Sequence, residues 1–588
     1  MYIQNFDPLN NMFLSAALAF LPIVYFFVVL IVFKVKGHWA AISTTVLAVA
    51  LAGWVYDMPI VLSIMSAVHG ALYGLFPIGW IVIGAVFLYN ISVKTGQFEI
   101  IKKSIVSITD DRRLQLLLIA FSFGAFLEGA AGFGTPVAIT SAMLIGMGFK
   151  AKKAACLSLL ANTAPVAFGG LGIPVLVAAQ VTGFSGDYIA KLLAMICPII
   201  GFIVPFYLII VMTGLKGLKE VWPAVLVTSI SFSIPMALTS FFLGPILPDI
   251  IASLASMIAL VLFLKVWQPK HVYRFENEAD VSGESTAVLS KKMIIKAWSP
   301  FIVLIMFIAD WGMKSVSSVL DTVNILIPLP FLDKAIMNST TNSLLAAVFN
   351  LNWLSTAGTG IILAAFMSCL ILKVSLKKSI GIFASTINEL KIALLTISGV
   401  LAYAYVANNS GMTTTMGLLV SKTGDMFPLF APIVGWLGVF VTGSDTSANA
   451  LFGKLQTTAF SAVGIMPVMG IGANLAGGAV GKMISPQSIA IAAGTTGLTG
   501  REGEIYKFSM KHSMILLAII CCIIYFYEGV FVSVLAAEAG TGAVQAAGSS
   551  SAGGSGVIIL LISFCVILLA RTMLASSSDK GLQHYKTH

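Results

Sequence analysis

Gly124-Ala-Phe126-Leu-Glu128-Gly129 returns 314 residues later, from 124 to 438, as Gly438-Val-Phe440-Val-Thr442-Gly443. Further along, Ala161, Asn162, Ala164, Ala167, Gly169 and Pro174 recur as Ala473, Asn474, Ala476, Ala479, Gly481 and Pro486, at an offset of 312. Upstream, Gly84 and Gly96 return as Gly399 and Gly411, at an offset of 315. Three anchors at nearly one offset mark two degenerate copies of one unit. Both copies fall in apolar sequence broken by Gly, Pro and small polar residues. Such paired, interrupted segments are the strongest sequence pointer to a transporter's binding site.

Working outward, the composition leaves little room for a soluble protein. The chain has 588 residues, 58% of them hydrophobic and only 10% charged, with a mean hydropathy of +0.98. Soluble domains carry about 25% charged residues. Most of this chain is taken up by apolar runs near the roughly 20 residues that cross a bilayer, and none alternates as barrel strands do. The net charge of +10 sits in short loops between apolar runs, as the positive-inside rule requires, which argues against a nucleic-acid partner and for a lipid bilayer. The six cysteines and six histidines show no metal-ligand or disulfide spacing, so neither metal nor cofactor is expected. The run from Met12 to Phe33 exceeds a signal-peptide core and lacks a cleavage site, so it is expected to stay as a helix.

The pattern predicts an all-α polytopic membrane protein of about 13 transmembrane helices, arranged as an inverted repeat with two re-entrant hairpins and two broken helices. The first repeat, 1–245, has runs near 12–34, 38–56, 76–93, 154–180, 190–212 and 221–244. A linker span at 250–266 and a charged loop fill 246–296. The second repeat, 297–588, has runs near 297–312, 346–372, 388–409, 465–500, 512–533 and a terminal span at 556–574. Segments 59–75 and 313–345 read as partial or interfacial helices, and 534–555 as a small-residue linker. The basic loops at Lys34/Lys36, Lys102 to Arg113, Lys150 to Lys153, Lys216 to Lys219, Lys265 to Lys296, Lys373 to Lys378, Arg501 to Lys511 and after Arg571 should be cytoplasmic. One parity satisfies them all: N-terminus outside, C-terminus cytoplasmic. The second half is then upside down relative to the first.

Two segments fail as single spans. From 114 to 149 both flanks are basic, and Gly124, Gly129, Gly132, Gly134 and Pro136 interrupt the middle. From 426 to 464 both ends lie outside, with Gly443-Ser-Asp-Thr-Ser447 at the centre. Each reads as a re-entrant hairpin of two half-helices. Non-helical backbone at membrane depth is tolerated only inside protein or beside a water-filled cavity, so the two tips should meet near the midplane. The broken helices at 154–180 and 465–500 bring Asn162-Thr163 and Asn474 to the same depth.

These breaks carry the candidate chemistry. Glu128 is the one ionisable group in the first hairpin, and an intramembrane carboxyl is either a proton carrier or half of an ion pair closing the hairpin. Asp445 and Lys454 are the charges of the second. Asp445 is a proton carrier or an N-cap, and Lys454 is a partner for Asp445 or for a substrate carboxylate, or a snorkelling side chain. Lys482, at the position of Gly170 in the first copy, stands beside Ser485-Pro486-Gln487-Ser488. It suits a monocarboxylate, or a salt bridge to Asp445 or Glu128. Thr135, Asn162, Thr163, Thr446, Ser447, Asn449 and Ser485 supply hydroxyls and amides for the rest of a substrate site. His69, Asp310 and Asn408-Asn409 read as packing or boundary residues.

Phe126-Leu-Glu128-Gly-Ala-Ala-Gly-Phe-Gly-Thr135-Pro136, followed by Asn162-Thr-Ala-Pro165-Val-Ala-Phe-Gly-Gly, resembles the bacterial L-lactate permease family. So does Thr442-Gly-Ser-Asp-Thr-Ser-Ala-Asn449-Ala-Leu-Phe452 with Ala473-Asn474 and Lys482 to Gln487. The likeness covers nearly the whole chain. It implies a secondary active transporter, not an enzyme, importing L-lactate, and in some members glycolate or D-lactate, with a proton across the bacterial inner membrane. The family is similar to a wider ion-transporter superfamily whose members form dimers, so a homodimer is a further expectation. A sodium-coupled carboxylate carrier is the alternative within transport, since Ser, Thr and Asn at hairpin tips also suit Na⁺. A membrane enzyme and a channel are the rivals outside it.

Overall fold

The computed structural model describes residues 1–539 except 107, 133, 276–289, 313, 340 and 341. The expected span 556–574, and the stretch 540–555 before it, lie outside the described residues.

The fold is mostly helical, with the apolar runs as helices and their Gly and Pro residues as the breaks. Among the described residues nine helices are long and apolar enough to cross a membrane, or ten if the bent pair 151–161 and 166–182 is one span. Outer helices present large apolar side chains outward, Phe13 at 67% exposure and Phe242 at 73%. That exposure is stable only against lipid, and the protein is a multi-pass membrane protein. The two runs expected at 190–212 and 221–244 are the two limbs of Gly186–Leu243, which turns at Gly214 (φ 72°, ψ −175°).

Several expected boundaries are corrected. The segment 59–75 is helical from Ile60 and runs on to Lys94, interrupted at Phe76, whose φ/ψ of −148°/128° breaks the helix before Pro77. The run 346–372 is helical only over Ala357–Ile371. Its start is a strand, Val348–Leu351, antiparallel to Ile325–Pro328. Apolar content alone cannot separate a short strand from a helix, and polar Asn350 and Asn352 interrupt this stretch. A second small sheet joins Tyr2–Ile3 to Ile336–Asn338 and Ser343–Leu344, so 313–345 is only partly helical. The run 388–409 sits inside a helix of 35 residues, Leu376–Ser410, capped by Ser375.

Close backbone approach sets the helix packing. The helices 37–54, 60–73 and 376–410 meet through Gly70 against Leu401, Gly74 against Ser398 and Gly399 against Ala41. Small residues at such crossings let helices approach where lipid gives no hydrophobic drive.

Both hairpins have the expected reversal. In the first, the limb Arg112–Ala130 is entirely buried, and the chain returns as the helix Thr135–Gly146. A Cβ on Gly124 would lie 3.4 Å from Thr140 of the return limb, as two limbs folded about residue 132 require. In the second, Phe427–Thr442 and Asp445–Ala462 lie side by side, with the Phe427 and Phe460 rings 5.4 Å apart. The first broken helix bends by 66° between Ala161 and Val166. The second runs as Val468–Gly481, a short 3₁₀ turn at Lys482–Ile484, and Pro486–Thr496.

Candidate functional site

Both hairpin tips and both helix breaks border one pocket, with about 540 Å³ of space between atoms, open solvent included. The start of a helix reaches it from each element. Gly134 precedes Thr135–Gly146, Gly169 begins the helix ending at Thr182, Ser444 caps Asp445–Ala462, and Gln487 and Ser488 lie in the first turn of Pro486–Thr496. Helix N-termini carry unpaired N–H groups and roughly half a positive charge each, so four of them make this a place for an anion. The helix ending at Thr182 requires residues 170–172 to turn through the left-handed region, where Gly170 and Gly172 flank Leu171 at φ 61°.

Two charges face each other across this pocket. The Lys482 ammonium donates to Oε1 of Glu128, an ion pair joining residues 354 positions apart in the chain. Asn162 Nδ2 donates to the other carboxylate oxygen at 3.0 Å. Glu128 is 2% exposed and Lys482 9%. Backbone fits against this carboxylate without a side chain between them: a Cβ on Gly169 would sit 2.5 Å from Oε1. A buried pair of this kind is maintained only while both partners are present, because either one alone is an uncompensated charge.

Asp445 is the opposite case. It lines the pocket and is 3% exposed, yet neither carboxylate oxygen has a hydrogen-bond partner among the described residues. Helix capping falls to its neighbour: Ser444 Oγ accepts from the Ser447 N–H at 3.3 Å. Thr446 lines the pocket beside it.

The remaining sequence candidates take other places. Thr163 borders a smaller cavity with Asn162, Lys482 and Ser488, its hydroxyl donating to Leu160 O at 2.7 Å. Asn449 is fully buried, donating to Asp445 O at 2.9 Å and accepting from Asn474 Nδ2 at 2.8 Å, which ties the hairpin to the second broken helix. Ser485 accepts from the Ser488 N–H at 3.2 Å as a helix cap. Thr135, in the first turn of its helix, and Ser447 and Lys454 do not line the pocket. No ion pair of Lys454 occurs among the described residues. No cluster of His, Cys, Asp or Glu among the described residues could hold a metal.

Sequence reasoning passed over Asp249, which is fully buried and whose oxygens have no hydrogen-bond partner among the described residues. Its signal was a Pro248-Asp249 pair before an apolar run, which reads equally well as an ordinary acidic first turn.

The chain is similar to proteins of one family. The family profile described as L-lactate permease matches residues 15–531. An L-lactate permease of Bacillus subtilis (strain 168) is 45% identical over 557 residues, covering 90% of this chain and 99% of that protein. Glycolate permease GlcA of Escherichia coli (strain K12) is 45% identical, covering 91% and 100%. Among solved structures, the Alcanivorax borkumensis YdaH transporter matches with a TM-score of 0.42 at 13% identity, covering 78% of this chain and 87% of that one.

Proposed function

The chain belongs to the L-lactate permease family, and from that premise we propose that it imports L-lactate, with glycolate or D-lactate as further substrates, by proton symport across the bacterial inner membrane. The observation that carries this reading is the buried Glu128–Lys482 pair beside a pocket that four helix N-termini approach.

Lactate is an anion at neutral pH, and a negative cytoplasm opposes its import by about 2.3 kcal/mol per charge per 100 mV. Carrying one proton with it removes that penalty and adds the pH gradient as a driving force. The Glu128–Lys482 pair supplies a way to couple the two. A lactate carboxylate that takes Lys482 leaves Glu128 unpaired in a buried site, where the protonated acid is the stable form. Lactate binding therefore draws one proton onto Glu128; when lactate leaves and no other replaces it, Lys482 returns to Glu128 and discharges it. Thr446, Gln487 and Ser488 stand at the pocket wall to meet the lactate hydroxyl, and Asp445 is the second candidate proton carrier.

The same reading makes 1–245 and 297–588 the two inverted repeats, joined by 246–296, with the N-terminus outside and the C-terminus cytoplasmic. The four breaks then form one central site reached alternately from either side. The bare Asp445 carboxylate beside Ser444 and Thr446 is what favours the sodium-coupled alternative. Uptake of labelled L-lactate into proteoliposomes, with pH and Na⁺ gradients imposed separately, decides between them. The pH gradient alone should drive accumulation, and replacing Na⁺ by choline should change nothing. Accumulation that follows Na⁺ and ignores pH overturns proton symport.

A further inference from the structure

The linker helix Pro248–Val266 starts against the tip of the first hairpin. Asp249, in its first turn, is 0% exposed, and neither of its oxygens has a hydrogen-bond partner among the described residues. Its position is set by the residue after Glu128: a Cβ on Gly129 would sit 2.6 Å from Asp249 Cβ and 3.3 Å from the Ile250 nitrogen. The turn before it is braced on the first broken helix, where a Cβ on Gly172 would lie 2.8 Å from the Pro245 carbonyl carbon. Asp249 is within electrostatic reach of both Glu128 and Lys482. Cys197 of the helix Gly186–Leu243 is within electrostatic reach of both Asp249 and Asp445. Asp249 does not line the pocket.

Three buried carboxyls, Glu128, Asp249 and Asp445, thus share one ammonium, Lys482, which is already paired with Glu128. A carboxylate buried without a partner is far less stable than the neutral acid. In this conformation Asp249 therefore holds a proton beside a carboxylate that holds none.

We propose that Asp249 is the proton relay to Glu128, a positioning residue that never touches substrate; the role rests on the proton-symport reading above. Asp249 and Glu128 are not hydrogen-bonded in this conformation, so lactate at Lys482 must first free the Glu128 side chain to reach Asp249; the Asp249 O–H bond then breaks and an O–H bond forms on Glu128. The Asp249 carboxylate left behind stands in the first turn of its helix, where the N-terminal dipole favours negative charge. Asp249 is buried here, so it regains a proton from water in the conformation that opens it to solvent, and that is the one proton carried per lactate. Asp445 faces the pocket and needs no relay; Asp249 reaches the pocket only through Glu128.

The test uses the full chain in proteoliposomes with two readouts, lactate-driven external alkalinisation and lactate–lactate counterflow. Counterflow exchanges lactate without discharging the proton, so it bypasses a relay. Asp249→Asn should lower lactate-coupled proton uptake by at least about tenfold, while counterflow stays within about twofold of wild type. Asp249→Glu should restore coupled uptake with a displaced pH profile. Coupled uptake in Asp249→Asn equal to wild type removes Asp249 from the mechanism and leaves proton symport standing. Equal loss of both readouts, or an unmoved pH profile in Asp249→Glu, assigns it a structural role instead. Wild-type protein that accumulates lactate with no alkalinisation sinks the symport reading itself, and the relay with it.

Discussion

The two hairpins share a plan, two helical limbs reversed through a left-handed glycine, and carry opposite chemistry. At the end of its first limb the first hairpin carries Glu128, bonded to Lys482 and Asn162. The position 314 residues on is Thr442, whose hydroxyl lies 2.7 Å from Gly438 O of its own helix. The partner differs in the same sense, since Lys482 corresponds to Gly170 in the first copy. The ion pair therefore joins the first hairpin to the second broken helix, and its counterpart at the same offsets, Thr442 with Gly170, is neutral. The difference teaches that the recurring Gly and Pro positions carry the frame, and two positions that do not recur carry one cation for one anion. Two symmetrical pairs would offer two competing sites for a single carboxylate.

The hardest blow to this asymmetry is Lys482→Ala. It leaves Glu128 buried and unpaired, which costs about 3–5 kcal/mol, so lower membrane yield is expected. In the protein recovered, the apparent lactate constant should rise by at least about tenfold, equivalent to 1.4 kcal/mol. Adding Glu128→Gln to it should recover yield, measured by detergent-solubilised melting, without recovering uptake. Retained lactate affinity in Lys482→Ala would place the anion elsewhere in the pocket.

Gly169→Ala attacks the same pair through its neighbour. The new methyl would stand 2.5 Å from Glu128 Oε1, closer than any van der Waals contact, so the carboxylate must leave Lys482. Lactate-coupled proton uptake should fall by about tenfold or more, with little loss of yield compared with Lys482→Ala. Full coupling in this variant would mean the pair need not be held in place.

The frame was legible in the sequence far better than the site. Gly and Pro at regular offsets, and flanks of equal charge on either side of an apolar run, fixed where the chain must reverse. The observed tips at 131–134 and 443–444 lie inside the segments so identified. Glu128 and Lys482 were visible as lone charges in apolar surroundings, and their union was one of the readings open to each. Lys454 shows the limit of the same logic. Nine residues of helix separate it from Asp445, about 13 Å along the axis, and no one-dimensional pattern says whether the polar pocket extends that far. Asn449 and Ser485 are polar for reasons internal to the fold, an amide link to Asn474 and a helix cap. Hydroxyls and amides serve those purposes as readily as they serve a substrate. Asp249 was invisible because its place depends on Gly129, the residue after Glu128, packing against it, a contact between distant segments.

A smaller effect is expected from Asn162→Ala. Its amide donates to Glu128 Oε2 at 3.0 Å, a hydrogen bond to a charged group worth about 1.5–3 kcal/mol. Lys482 still compensates the charge, so the protein should fold and bind lactate. The carboxylate is then held less firmly toward Lys482, so lactate-coupled proton uptake should fall by about twofold to fivefold with the apparent lactate constant nearly unchanged. Uptake equal to wild type would show that Asn162 holds the helix break and not the charge.

The finest test is Thr442→Val, which changes the mirror position itself. Thr442 Oγ1 sits 2.7 Å from Gly438 O and 3.0 Å from Ser444 O, and accepts from the Ser444 N–H at 3.2 Å. All its hydrogen bonds among the described residues are within its own hairpin tip, so Val should cost about 0.5–1.5 kcal/mol of stability. Lactate affinity and proton coupling should stay within about twofold of wild type, even though Glu128→Gln at the corresponding position is expected to abolish coupling. The two substitutions are matched in place and differ only in whether the side chain reaches across to the other repeat. If Thr442→Val were to uncouple transport as Glu128→Gln does, the neutral tip would be part of the proton path. The division of labour between the hairpins would then have to be abandoned.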